Sequence, residues 1–310
     1  MAGESGRGGS SGQLTAGGEV AGLLARCTFS PPGTEVTCAV SGGADSLALL
    51  VLAVEAGCRV TAVHVDHGLR PGSGAEADVV AEAAARFGAT FRAERVMVPP
   101  GPNREARARA ARYAVLPTDV LTGHTADDQA ETVLLNLLRG AGLDGLAGMA
   151  PEGHPLLALR RAETRALVAA LGLAPVEDPS NADPAFRRNR VRAELLPLLD
   201  TIAGRDVAAV LARQAGLLRD EAALLDELAA AVDVTDARAL AAAPPALARR
   251  AVRRWLTGGR EHPPSAAAVE RVLAVARGDA RATEVDDGRR VTRRQGRLDL
   301  HASARPVGTS

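Results

Sequence analysis

Six residues, Ser41, Gly42, Gly43, Ala44, Asp45 and Ser46, stand between the apolar run ending at Val40 and the apolar run that starts at Leu47. Glycine pairs of this kind adopt positive φ and let backbone N–H groups come close to an anion, while a following helix aims its positive end at the same point. Ser41 and Ser46 add hydroxyls. The composition describes a phosphate cradle, yet it holds a carboxylate. Asp45 beside a bare phosphate would be repelled, and a divalent cation between them removes the conflict, since Mg²⁺ prefers carboxylate and phosphate oxygens. Asp45 is therefore read as a metal ligand. A reading in which Asp45 and Ser46 only cap the following helix, at about 1 kcal/mol, stays open.

Three further sets of residues could do chemistry. Asp128 and Glu131 are three apart and share one face of a helix that starts near Ala126, where acids also stabilise the positive helix end. Arg109 and Arg112 share a face of another helix, with Glu105 four residues before Arg109. Arg187, Arg188, Arg190 and Arg192 crowd into "RRNRVR", an array suited to a phosphate backbone and equally able to form a solvated face. His64 and His67 lack further ligands at zinc-like spacing. His67 is read instead as a hydrogen-bonding residue of the nucleotide pocket or an organiser of its own loop.

The elements that must position these groups alternate. "EVTCAV" (35–40), "RVTAVHV" (59–65), "TFRAERVMV" (90–98) and "DVLTG" (119–123) read as strands, each followed by a helical pattern. Four β-then-α units predict a doubly wound parallel sheet whose ligands lie beyond the carboxyl ends of the strands. The loops after the first, second and fourth strands then meet in one crevice. From about residue 151 the pattern turns helical, and "GRRVTRRQGRLDLHA" (288–302) predicts a terminal β-hairpin around Gln295-Gly296. The expected division is a Gly-rich flexible leader over 1–33, an α/β domain carrying the phosphate loop over 34–150, a linker with the basic segment over 151–205, and a smaller, mainly helical domain over 206–310.

Composition narrows the chemistry. The 310 residues contain no lysine, so all 37 basic residues are arginine and neither a Schiff-base lysine nor a Walker-type phosphate lysine exists. Residues 1–150 carry 12 arginines against 16 acids, net −4, and residues 151–310 carry 25 against 21, net +4. Cys27, Cys38 and Cys58 form no CxxC pair, which fits a reducing, cytoplasmic setting. No apolar run is long enough for a membrane span. With six aromatic residues, single-strand binding by base stacking is disfavoured.

"SGGADS" resembles the signature of the PP-loop ATP pyrophosphatases. "HVDHGLRPGSGAEAD" (64–78), "NREARARAARY" (103–113), "GHTADDQAETVLLNLLRGAGLDGLAGM" (123–149) and "EDPSNADPAFRRNRVRAELLPLL" (177–199) follow in order, and together resemble the tRNA(Ile)-lysidine synthetases in their short form. The resemblance spans residues 36–200. It implies a PP-loop, Rossmann-like fold and two substrates besides ATP: tRNA(Ile) with a CAU anticodon, and free lysine. ATP would adenylate the C2 oxygen of the wobble cytidine, and lysine would displace AMP. It further implies that Asp128 and Glu131 bind lysine, that Asp127 assists Asp45 with Mg²⁺, that Arg112 acts at the phosphate or adenylate, and that the basic segment meets tRNA. Asp45, Arg112 and Asp128 are the expected catalytic residues. A 2-thiolation enzyme of the same superfamily, which would ordinarily use paired cysteines, and a silent RNA-binding homologue are the alternatives; whether the chain forms a homodimer stays open. One departure stands out. Only Pro117 and Thr118 separate "ARYAVL" from "DVLTGH", where family members usually continue the helix about two turns further, so thinner packing is expected there.

Overall fold

The computed structural model describes residues 11–66, 74–97, 104–177, 183–260 and 263–302. Contacts divide the chain into two units, Met1–Leu217 and Leu218–Ser310.

The first unit is built on a four-stranded parallel sheet in the order β3-β2-β1-β4, with β1 at Glu35–Ala39, β2 at Arg59–Asp66, β3 at Thr90–Arg95 and β4 at Leu121–Thr122. Cys38 pairs with both Ala62 and Leu121, which makes β1 central. The order reverses between β1 and β4, so the crevice favoured for ligands opens there. Helix α1 (Ser11–Leu24) precedes the sheet; α2 (Ala44–Glu55), α3 (Gly74–Phe87), α4 (Arg104–Val115) and α5 (Ala126–Leu138) follow the four strands in turn. Every position of α2 from Ser46 to Ala53 is buried. An amphipathic stripe would waste such a helix; one that is apolar all round belongs inside. The core on this face joins α2 to Cys38, Val60, Ala62, Val80, Leu156, Leu159, Leu167 and Val168.

Two expectations are corrected here. The segment 1–33 is not wholly a flexible leader: α1 lies within it, and Val20, Leu23, Leu24, Cys27 and Phe29 pack on the main core. Apolar contacts at the end of the segment outweigh the glycines at its start. The fourth strand is also shorter than the apolar pattern suggested, because Pro117 and the turn after α4 leave only Leu121 and Thr122 in register with β1. At the abbreviated α4–β4 link, Leu116 and Val120 still bury against Val63 in a small cluster with Ala39 and Val65.

After α5 come α6 (Leu143–Leu146) and α7 (Arg161–Ala170). The basic segment forms α8 (Arg187–Arg190), which runs through one π-helical turn, Val191–Leu195, into α9 (Leu196–Ala203). Helix α10 (Val207–Ala230) crosses from the first unit to the second.

In the second unit α11 (Ala237–Ala242), α12 (Pro245–Thr257) and α13 (Ala266–Arg277) bury Leu240, Val252, Leu256, Val272 and Val275 against Val285, Val291 and Leu298. The expected hairpin is present as β6 (Arg290–Arg294) and β7 (Arg297–His301), and β5 (Ala282–Glu284) adds a third antiparallel strand. Gln295 and Gly296 both have positive φ, 48° and 80°, as a tight two-residue hairpin turn requires.

Candidate active site

The loop after β1 is held in shape by its own serines. Ser41 N donates to Ser46 Oγ at 3.1 Å, and Ser46 Oγ donates to Gly43 O at 2.8 Å. Gly42 has φ +87°, and Val176 crosses it, donating from N to Gly42 O at 2.9 Å. Ala44 opens α2, whose first N–H groups have no partner within the helix. Gly123, just past β4, abuts this loop: a Cβ on it would sit 2.5 Å from Asp45 O. The bare backbone of Gly123 lets the ends of β1 and β4 close on one site.

Asp45 does not cap α2; no side-chain cap is made there. Its Oδ1 accepts from Thr164 Oγ1 and its Oδ2 lies 3.4 Å from Arg161 Nε. Burial pushes its carboxyl above the ordinary value, and the nearby Asp128 adds to that.

Helix α5 supplies three more acids. Asp128 serves two functions at once: Oδ2 accepts from Thr125 N and Oγ1, both at 2.9 Å, closing a capping box, while Oδ1 accepts from Arg161 Nη2 at 2.7 Å. The helix-start role and the site role therefore coexist in one side chain. Burial opposes its charge, but Arg161, His124 and Thr125 more than offset this and hold its pKa below the ordinary value. Glu131 is fully buried and takes Arg161 Nη1 at 3.2 Å, Arg192 Nε at 2.7 Å and Arg192 Nη2 at 3.1 Å; Arg188 Nε lies 3.3 Å away. Asp127 accepts Arg160 Nη2 at 2.8 Å, Arg160 Nε at 3.1 Å and Arg161 N at 2.7 Å. Burial raises its pKa less than these bonds lower it.

The result is four carboxylates knit by four guanidiniums at the switch point of the sheet. Asp45, Asp127, Asp128 and Glu131 are brought together as the sequence suggested. Arg160, Arg161 and Thr164, which sequence reasoning passed over, supply much of the network. They come from "LRRAET", in the stretch read as a linker, where an arginine pair before a helix looks like any other charged helix start.

Three placements differ from expectation. Asp127, expected to help with metal, has both oxygens engaged by Arg160 and Arg161 and works as a clamp on the start of α7. Arg188 and Arg192 turn toward Glu131 instead of standing ready for RNA, because a buried carboxylate attracts the nearest guanidiniums. Arg187 and Arg190 are exposed, with Arg190 paired to Glu194 one turn on. Arg112 is exposed in the last turn of α4. His67 lies outside the described residues. Among the described residues, no three His, Cys, Asp or Glu side chains form a protein-only metal cage, and no helix is long and apolar enough to cross a membrane. All three cysteines are free thiols; burial pushes Cys38 up to about 12 and Cys27 up to about 11.

Comparison with known proteins gives the same two-part picture. A family model described as a PP-loop domain matches residues 20–199, and one described as the TilS substrate binding domain matches residues 236–298. The tRNA(Ile)-lysidine synthase of Nocardia farcinica is 51% identical over 238 residues, covering 71% of this chain and 75% of that protein. The enzyme of the same name from Rhodococcus erythropolis is 49% identical over 245 residues, with 74% and 75% covered. That of Mycobacterium tuberculosis is 43% identical over 240 residues, with 71% and 74% covered. Among solved structures, the U34-tRNA thiolase NcsA from Methanococcus maripaludis shares the fold, with a TM-score of 0.51 at 18% identity over 67% of this chain and 80% of that one.

Proposed function

The chain belongs to the tRNA(Ile)-lysidine synthase family, and from that premise we propose how its own residues divide the work of ATP-dependent lysidine formation on tRNA(Ile). One observation carries the assignment: Arg161 bridges Asp45, at the phosphate loop, to Asp128 and Glu131 on α5. A nucleotide site and a site for a cationic co-substrate thus share a wall.

ATP lies with its phosphates on the loop Ser41, Gly42, Gly43, Ala44, Asp45 and Ser46, where backbone N–H groups and the start of α2 hold the pyrophosphate portion. Asp45, a member of the phosphate loop whose charge burial disfavours, would hold a Mg²⁺ ion beside the phosphates. There the ion would neutralise phosphate oxygens and make pyrophosphate a better leaving group. Asp127, which binds the Arg160 guanidinium and Arg161 N, is assigned to holding the start of α7 beside the site.

The wobble cytidine, presented by the anticodon loop, attacks the α-phosphorus with its C2 oxygen, and pyrophosphate departs. Arg112 is assigned to the charge that builds on the phosphoryl oxygens. Free lysine then enters beside α5. Asp128 and Glu131 accept hydrogen bonds from its two nitrogen groups and orient the one that attacks in its neutral amine form, which forms the new carbon–nitrogen bond as AMP leaves and the surplus proton passes to solvent. Arg187 and Arg190 face outward and are assigned to tRNA phosphates.

The test is incorporation of labelled lysine with ATP, Mg²⁺ and unmodified tRNA(Ile) bearing a CAU anticodon. Label retained on that tRNA and not on tRNA(Met) is the expected result. Tight tRNA binding without incorporation would identify a silent binder, and sulfur incorporation a thiolation enzyme.

A further inference from the structure

His64 is a buried titratable residue with no task in the scheme above. It follows the register pair Ala39↔Val63, so it stands level with Val40 at the carboxyl end of β1. Its side chain points to the face of the sheet that carries Val60 and Ala62, four and two residues earlier on β2. The residue is 2% exposed. Nδ1 lies 3.0 Å from Val40 O. A carbonyl oxygen only accepts, so Nδ1 carries a hydrogen, and the tautomer that places the ring's single hydrogen there leaves Nε2 as an acceptor. Nε2 is buried and has no hydrogen-bond partner among the described residues. Purely structural positions rarely hold such an atom, because an apolar side chain would fill the space without an unmet acceptor.

The sheet order says what lies on that side. The phosphate loop leaves β1. The carboxylates lie toward β4, on α5, and β2 borders β1 on the opposite edge. In the scheme above, lysine enters on that acidic side. An ATP with its phosphates on the loop therefore extends its nucleoside half toward β2, where His64 ends the buried part of the strand.

We propose that His64 Nε2 accepts a hydrogen bond from an O–H or N–H donor on the nucleoside half of ATP, and so selects the nucleotide. This rests on ATP occupying the phosphate loop. Two donors have the required chemistry, a ribose hydroxyl and the 6-amino group of adenine. A desolvated acceptor discriminates well, because an analogue lacking the donor leaves it unpaired.

The experiment compares ATP, 2′-deoxy-ATP, 3′-deoxy-ATP and purine riboside triphosphate in tRNA-dependent pyrophosphate release, using the full chain and its His64→Leu and His64→Gln variants. In the unaltered chain, KM for the analogue that lacks the relevant donor exceeds that for ATP by about tenfold, and which analogue it is separates ribose from adenine. In His64→Leu the gap closes, because KM for ATP rises to meet the analogue's, while KM for lysine is unchanged. His64→Gln, which keeps an acceptor, retains part of the gap. Equal use of all four nucleotides by the unaltered chain overturns the proposal, and this comparison decides even if the leucine variant fails to fold. A gap that survives in a folded His64→Leu overturns it as well. If the unaltered chain releases no pyrophosphate from ATP, the reading of the phosphate loop falls first and this one with it.

Discussion

Arg161 donates from Nη2 to Asp128 Oδ1 at 2.7 Å across 33 residues of sequence, and the same guanidinium reaches Glu131 with Nη1 and Asp45 with Nε. Its side chain is only 15% exposed. Three acids on two elements thus depend on one fork. Removing that fork leaves buried carboxylates facing one another, which costs about 3–5 kcal/mol. Arg161→Ala is accordingly expected to lower the urea midpoint substantially and to raise KM for lysine more than KM for ATP. Arg161→Lys should recover part of the stability and little of the lysine affinity, since a point charge cannot meet three carboxylates at once. Full lysine affinity in a folded Arg161→Lys variant would refute the bridging role.

Asp45 and Asp127 carry similar carboxylates, and their substitution should act in opposite directions. The folded pKa of Asp45 lies above its ordinary 3.8, so the stability linked to that group is lost as pH rises from 3.8 through the folded value. At neutral pH Asp45→Asn removes a burden: stability is maintained or increased, tRNA affinity stays nearly unchanged, and pyrophosphate release is abolished. Asp127 has a folded pKa below 3.8, so its contribution is present above 3.8 and lost as pH falls through the lower folded value. Asp127→Asn is expected to cost about 1–3 kcal/mol at pH 7, with the difference from the unaltered chain vanishing in acid. Urea denaturation at several pH values, beside a pyrophosphate assay, checks both. Full activity in Asp45→Asn would remove the case for a metal ligand.

Much of this site could be read from the sequence because its acids follow strands. The alternation that marks β1 and β2 and the helical spacing of α2 and α5 place Asp45, Asp128 and Glu131 at strand ends, and strand ends converge by topology. What stayed hidden is long-range. Nothing local in "LRRAET" says that Arg161 will cross to α5, and nothing in "RRNRVR" says that Arg188 and Arg192 face a buried glutamate while Arg187 and Arg190 face solvent. Those choices are made by a charge that the fold buries elsewhere. β5 escaped notice because a three-residue strand gains its stability from pairing with β6, not from its own pattern.

Gly123 offers a steric test of how closely β4 must approach the phosphate loop. Its Cα stands where an added methyl would meet Asp45 O at 2.5 Å and Ser46 N at 3.0 Å, both backbone atoms with no rotamer to yield. Gly123→Ala must push the start of α2 away. The expected cost is about 1–3 kcal/mol in stability, and pyrophosphate release should fall by about 10²-fold as Asp45 and the loop N–H groups shift against the nucleotide. Lysine and tRNA binding measured separately should change less. An alanine variant with unchanged turnover would mean that the two strand ends tolerate separation.

The basic segment divides into two pairs with separable effects. Arg187 and Arg190 are exposed, and the ion pair of Arg190 with Glu194 is solvent-facing, so RNA phosphate can compete for it. Arg188 and Arg192 are committed to Glu131. Neutralising the outward pair, as Arg187→Ala and Arg190→Ala, should weaken tRNA binding and reduce the slope of log K against log salt by about one for each phosphate no longer neutralised, with KM for lysine unchanged. Neutralising the inward pair should raise KM for lysine and leave the salt slope nearly as it was, because those charges neutralise a carboxylate and release no counterions from RNA. Filter binding over a salt series and lysine kinetics on the same four variants distinguish the cases. Equal salt slopes for both pairs would show that all four arginines meet the RNA, and that the pairing to Glu131 gives way when tRNA binds.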